Sequence, residues 1–187
     1  MRSAKLPGTT IEIELTAGAA DRQLTPLFTC GGLVLSQVCR LTGLEGYIIQ
    51  NWIKRKFLTP PVKKKYTRCQ LCRLFNINML KDTFSLEQAV TLLGNINGSL
   101  SDQSDALVDD SQLYSYLVDC LAALNNSDSL DLSRAGETVQ AVTAGFQSPH
   151  RGADIKLRLV LEIMLTACQA QQIQHLAHDM FGRFERM

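Results

Sequence analysis

Two kinds of polar side chain crowd the stretch from Tyr47 to Arg68. The amides of Gln50 and Asn51 donate and accept at once, which matches the N6 and N7 edge of an adenine, whereas guanine offers only acceptors there. Tyr47, Lys54 and Arg55 stand beside them, followed by Lys63, Lys64 and Lys65 and then Tyr66 and Arg68. Consecutive lysines are long, flexible point charges that neutralise phosphates without demanding a base sequence. Two of these residues have open alternatives. Tyr66 is either a ring that anchors its loop or a hydroxyl that bonds a phosphate, and Asn51 is either a base reader or a cap that holds the loop at Pro60.

Catalytic chemistry finds no comparable grouping. The only histidines are His150, His175 and His178. The last two lie three apart beside Asp179, without the carboxylate pair that would complete a metal site, so surface positions are expected for them. Cys69 and Cys72 form a CxxC with no second pair and no spaced histidine, inside a helical pattern, which reads as packing. The six cysteines are scattered through apolar segments, as reduced core residues are, and no disulfide is expected. Gly31-Gly32 lacks the further pattern of a phosphate-cradling loop. The expectation is a protein that is not an enzyme and carries no metal or cofactor.

Reader side chains act only if short, rigid elements hold them on one surface. Leu35, Val38, Cys39 and Leu41 give a helix with one apolar face, which Gly43 ends because glycine alone takes a positive φ without a Cβ penalty. Leu44 re-enters the core, and a second helix from Gly46 to Arg55 turns Ile49, Trp52 and Ile53 inward, leaving Tyr47, Gln50, Asn51, Lys54 and Arg55 outside. This is a helix-turn-helix unit. Pro60 and Pro61 then forbid helix, so the lysines ride on an extended loop. A third helix follows from Arg68 to Lys81, and Ser85 with Gln88 is a capping box for a fourth that runs through Leu93.

Net charge is only +1 but unevenly spread. From Glu45 to Phe84 nine Lys and Arg face two carboxylates, a net +7, while from Ser85 to Asp154 two cations face ten carboxylates, a net −8. A basic face on an otherwise acidic chain points to an anionic partner met by one surface. No apolar run approaches the roughly 18 to 20 residues of a membrane span, and MRSAKLPGTT lacks the apolar core of a signal peptide. A cytoplasmic protein without membrane contact is expected.

The remainder is read as flanking structure. Residues 1–30 are an N-terminal arm expected to be mobile, with Ile11, Ile13 and Leu15 alternating as in a short strand. Residues 31–98 form the reader domain, a Gly/Ser/Asp-rich connector spans Gly94 to Asp105, and 106–187 form a helical region for dimerisation or sensing of a small ligand. Helices are expected over Ser111 to Leu124, Arg134 to Phe146 and Ile155 to Phe184, with NNSDSLDLS as a loop before the second of these. In the last helix Leu157, Leu161, Met164 and Cys168 form an apolar row that Ile173, Ala177, Met180 and Phe184 continue. This row is either a homodimer seam or ordinary core.

Several of these pieces together resemble the DNA-binding domain of MerR-type regulators. They are the helix ending in Thr42-Gly43-Leu44, the Ile49 to Trp52 core, Phe57-Leu58, the Lys65-Tyr66-Thr67-Arg68 entry and the Phe84-Ser85-Leu86-Glu87 start. Asn51, the run Pro60-Pro61-Val62-Lys63-Lys64-Lys65-Tyr66 and Asp109-Asp110 resemble more closely the bacterial family called domain of unknown function 1836, whose members are presumed regulators. The resemblance covers roughly residues 25 to 120. It implies a mainly α fold, a MerR-like winged helix-turn-helix followed by an α-helical C-terminal region. MerR-type second helices present Arg-Tyr-Tyr where this chain has Gln50-Asn51-Trp52, so base reading must use different chemistry here. The loop also lacks the Gly- or Asn-containing turn that closes a regular hairpin. The expected function is a transcription regulator that binds double-stranded DNA as a homodimer. The alternative is a protein-interaction module that keeps the helix-turn-helix shape and ignores DNA.

Overall fold

The computed structural model describes residues 3–97, 106–126, 129–130 and 132–186. Most of the expected Gly/Ser/Asp connector lies outside them. The protein is mainly helical, with α1 (Ala19–Leu24), α2 (Leu35–Thr42), α3 (Gly46–Lys54), α4 (Arg68–Leu80), α5 (Leu86–Asn97), α6 (Asp110–Leu124), α7 (Ala135–Val142) and α8 (Ala153–Phe184). Two antiparallel strand pairs complete it, β1 (Ser3–Lys5) with β2 (Glu12–Glu14) and β3 (Asn125–Asn126) with β4 (Ser129–Leu130). The second pair lies within the stretch read as a plain loop.

Helix α4 is the axis of the molecule. Ten of its thirteen residues are buried, Arg73 and Asn76 among them, so it has no solvent face and is packed around its circumference. Thr67 starts it: the backbone N–H of Gln70 donates to Thr67 Oγ1 (3.2 Å) and the N–H of Thr67 to Gln70 Oε1 (2.9 Å), satisfying two otherwise orphaned donors. The same reciprocal pair joins Ser85 and Gln88 ahead of α5, as the sequence indicates. That helix runs past Leu93 to Asn97, whereas α7 stops at Val142, where Thr143 Oγ1 bonds back to the Val139 carbonyl (2.7 Å).

The expected N-terminal arm is, from Ser3 onward, packed against the body. Leu6, Ala19, Ala20 and Leu24 are buried, and α1, absent from the sequence reading, packs on α6. The β1–β2 turn is pinned from three sides. Asn78 Nδ2 donates to Gly8 O (2.8 Å), Tyr114 Oη to Pro7 O (2.9 Å) and Thr10 N to Leu41 O (2.9 Å). Gly8 has φ +68°, and a Cβ there would stand 2.1 Å from the Phe75 carbonyl oxygen, so only glycine fits. One buried cluster extends from Leu6 to Cys168, with α6 on α4 as its most extensive helix pairing, so the regions 31–98 and 106–187 share a core. Leu157, Leu161 and Met164 of α8 lie inside it at 0% exposure, and Cys168 at 6%. The first half of the row is therefore core, packed against the chain's own helices, whereas its continuation, Ile173, Ala177, Met180 and Phe184, is exposed. No described helix is long and apolar enough to cross a membrane.

Candidate nucleic-acid interface

Helices α2 and α3 meet across Gly43, whose φ of 71° lets the chain leave α2 while its N–H still bonds Cys39 O (2.8 Å). Thr42 Oγ1 reinforces the turn by accepting from Leu44 N (3.1 Å). Ile49 and Trp52 are buried, at 0% and 3%, which fixes the rotation of α3 about its axis. Tyr47, Gln50, Asn51 and Lys54, spaced i, i+3, i+4 and i+7, therefore share the opposite face, and all four are exposed. None of these side chains has a hydrogen-bond or ionic partner among the described residues. Asn51 in particular bonds nothing with its amide and does not brace the loop at Pro60; only its carbonyl is used, by Arg55 N (2.9 Å).

The end of α3 is tightly wound. Lys56 N bonds Ile53 O (3.0 Å) and Phe57 N bonds Trp52 O (2.9 Å), the paired bonds of a Schellman motif, with Lys56 at φ 61° where glycine is usual. Two buried side chains of α4 then fasten the following loop. Gln70 Nε2 donates to Thr59 O (3.0 Å) and Oγ1 (2.9 Å), and Arg73 Nε donates to Phe57 O (2.7 Å).

The lysine loop does close as a hairpin, contrary to the sequence expectation. Val62 and Lys65 form an antiparallel bridge with Lys65 N on Val62 O (2.9 Å), and the residues between them, Lys63 and Lys64, have φ of 50° and 62°. Positive φ at both central positions marks a type I′ turn, normally built from Asn or Gly. Here two lysines take it, at a conformational cost of about 1 kcal/mol or more each. Tyr66 returns the chain to the body by exchanging backbone bonds with Leu33 (2.7 and 2.9 Å). A Cβ on Gly32 would lie 2.6 Å from the Tyr66 carbonyl oxygen, which explains a glycine beside that bridge.

The structure sorts the sequence-derived residues. Tyr47, Gln50, Asn51, Lys54, Lys63, Lys64 and Lys65 are exposed and unpaired on α3 and the adjoining turn. Tyr66 is 3% exposed, so its ring anchors the loop and the phosphate reading of its hydroxyl is dropped. Arg55 is paired with Glu87 and lies over the Phe57 ring (4.4 Å), and Arg68 is paired with Asp21 and Thr25. These two guanidiniums are engaged within the protein and are not free cations. Lys56, exposed and unpaired between α3 and the loop, belongs with the free cations and was missed; its place directly after the second helix, within the basic run, was the available signal.

Behind this face lies a buried ion pair. Arg73 Nη1 meets Asp110 Oδ2 at 3.3 Å, with the two side chains 4% and 5% exposed. Burial pushes the Asp110 carboxyl upward, and Arg73 and the amides of Asn76 and Asn97 oppose the shift. Cys69 and Cys72 sit on the same helix, and Cys72 is buried with its thiol pushed up by desolvation, as befits packing residues.

Residues 32–117 match the family model described as domain of unknown function DUF1836. A curated relative, the uncharacterized protein YkrK of Bacillus subtilis (strain 168), is 25% identical over 156 residues, which cover 78% of this chain and 67% of the relative. No solved structure matches.

Proposed function

We propose that this protein is a transcription regulator that binds double-stranded DNA, with α3 in the major groove and the lysine turn against the flanking phosphates. One observation carries the reading: an exposed, unpartnered row of Tyr47, Gln50, Asn51 and Lys54 is continuous along the chain with three unpaired lysines on a turn held at positive φ. The helix offers groups that read base edges and the turn offers charges that hold a backbone. The order of elements supports a MerR-like winged helix-turn-helix, with α2 and α3 as its two helices and Val62 to Lys65 as a minimal wing tied to Leu33 through Tyr66. The departure at Gln50-Asn51-Trp52 assigns base reading to an amide pair, so the preferred half-site is rich in A·T opposite it.

The test is an anisotropy titration with duplex DNA at about 50 and about 200 mM salt, followed by selection from a random duplex pool. Saturable binding that weakens steeply with salt, together with enrichment of A·T-containing sites, is expected. No binding at the lower salt would sink the proposal. A second reading rests on Tyr47 of α3 and Val62 of the turn, each 70% exposed. Such apolar exposure also suits a protein partner, and that reading predicts indifference to DNA.

A further inference from the structure

The large hydrophobic side chains exposed among the described residues are nine, and apart from Tyr47 and Val62 all lie on α8: Ile155, Leu159, Ile173, Leu176, Met180, Phe181 and Phe184. At 3.6 residues per turn the seven fall within an arc of about 140° along about 45 Å of helix. They form a second apolar stripe, on the side away from the buried Leu157, Leu161 and Met164. Beyond Gln171, which bonds Met79 O (2.8 Å) and Asp82 Oδ2 (2.9 Å), residues 172–186 are exposed apart from the half-buried Gly182, and of these Gln172, His175, Leu176 and Asp179 line an open cleft beside the β1–β2 turn. A helix half with no core of its own does not keep five large apolar groups in water without a partner.

We infer that the stripe pairs with the same stripe of a second copy of this chain, the two α8 helices running antiparallel about a two-fold axis between Gln169 and Ala170. The spacing itself points to a second copy. Reversing the helix about that point sets Ile155 level with Phe184, Leu159 with Met180, Ile163 with Leu176, and Thr166 with Ile173. Six of the seven exposed large apolar residues then stand level with an apolar or small residue, and Phe181 stands level with the aliphatic stem of Arg158, as a largely self-complementary two-fold interface requires. The pairing also lays the C-terminal half of each helix along the anchored half of the other, where Ile155 and Leu159 stand exposed. From Ile155 to Arg186 four Lys and Arg face three carboxylates, a net charge of only +1 on each copy. An overlap of this length buries roughly 1,500 Å² in all, within the range of specific interfaces. The pairing does not depend on DNA binding.

Sedimentation of the full chain at about 10 µM should show a dimer. Ile173→Asp with Met180→Asp, both at exposed sites outside the core, should give a monomer with an undiminished helical signal and at least a hundredfold weaker self-association. Mild oxidation of Ala170→Cys should cross-link two chains, because that position lies beside the axis, whereas Ala177→Cys should not. A wild-type monomer, a double mutant that stays dimeric, or cross-linking at Ala177 but not Ala170 would each overturn the inference.

Discussion

On the proposed DNA-binding role, Lys63 and Lys64 pit stability against binding, and the two are separable by one double substitution. Asn followed by Gly is the pair that a type I′ turn favours, and the turn here holds φ of 50° and 62° with lysines. Combining Lys63→Asn with Lys64→Gly should remove about 1 kcal/mol of left-handed strain at each position, less the entropy that Gly gives the unfolded chain. A net gain of about 1 kcal/mol should raise the melting temperature by roughly 2 to 4 °C for a chain of this size. The same change deletes two cations that have no internal partner. If both neutralise phosphates, the slope of log affinity against log salt should flatten by about 1.8, and binding at about 50 mM salt should fall accordingly. Lys63→Gln with Lys64→Gln is the control, because it removes the charges and keeps the strain; it should reproduce the binding loss without the thermal gain. Calorimetry and salt-dependent anisotropy on the three proteins decide the matter. An Asn-Gly variant that melts at or below the wild type would refute the strain argument, and an unchanged salt slope would refute the phosphate role.

Three further sets of substitutions probe other parts of the molecule. Gln50→Ala and Asn51→Ala should each cost about 1 to 3 kcal/mol on the selected DNA site, hardly alter nonspecific affinity and leave melting unchanged, since neither side chain bonds within the protein; equal losses on all sequences would argue against base readout. Gly8→Ala should destabilise by about 2 kcal/mol or more in denaturant titration, because the added Cβ meets Phe75 O and the site has φ +68°. Arg73→Met leaves Asp110 buried beside no cation and should cost about 3 kcal/mol or more at about pH 7.5. With the carboxyl already raised by burial, the folded variant binds a proton that the unfolded chain releases, so its stability is greater below the ordinary carboxylate range and falls as pH rises through the higher folded value. Denaturant titrations showing a larger deficit at about pH 5 than at about pH 7.5 would reverse that sign and refute the desolvation argument.

Local signals made the exposed face of α3 and its flanking turns legible in the sequence. Gly43, the Ile49 and Trp52 spacing, the two prolines and the Ser85 to Gln88 box are each decided by residues within one turn of one another, and α2 and α3 lie within a residue of their expected ends. What depended on distant contacts was hidden. Small residues such as Ala19 and Ala20 carry no periodic signal, so α1 became visible only where α6 gives it a surface. Tyr66 could not be assigned because its backbone partner, Leu33, lies across two helices in sequence. Arg55, Arg68 and Arg73 count as basic residues in any charge tally, and only the fold shows Glu87, Asp21 and Asp110 opposite them. In α8 the choice between seam and core stayed open because periodicity does not say which row meets the body.

Arg73 limits how this protein can be dissected. Its guanidinium reaches from the carbonyl of Phe57, just past α3, to the carboxylate that opens α6. A fragment cut after α5 would remove that counter-ion together with the helix that covers most of α4, leaving the apolar residues of α4 open to water. One begun at residue 32 would strip away Thr10, whose N–H and hydroxyl occupy the last carbonyls of α2 at Leu41 and Arg40. The stretch shared with the family model is therefore shorter than the smallest piece able to stand alone. An excised version for binding work should start by Ser3 and carry α6 through to Leu124, together with the α8 segment that covers it.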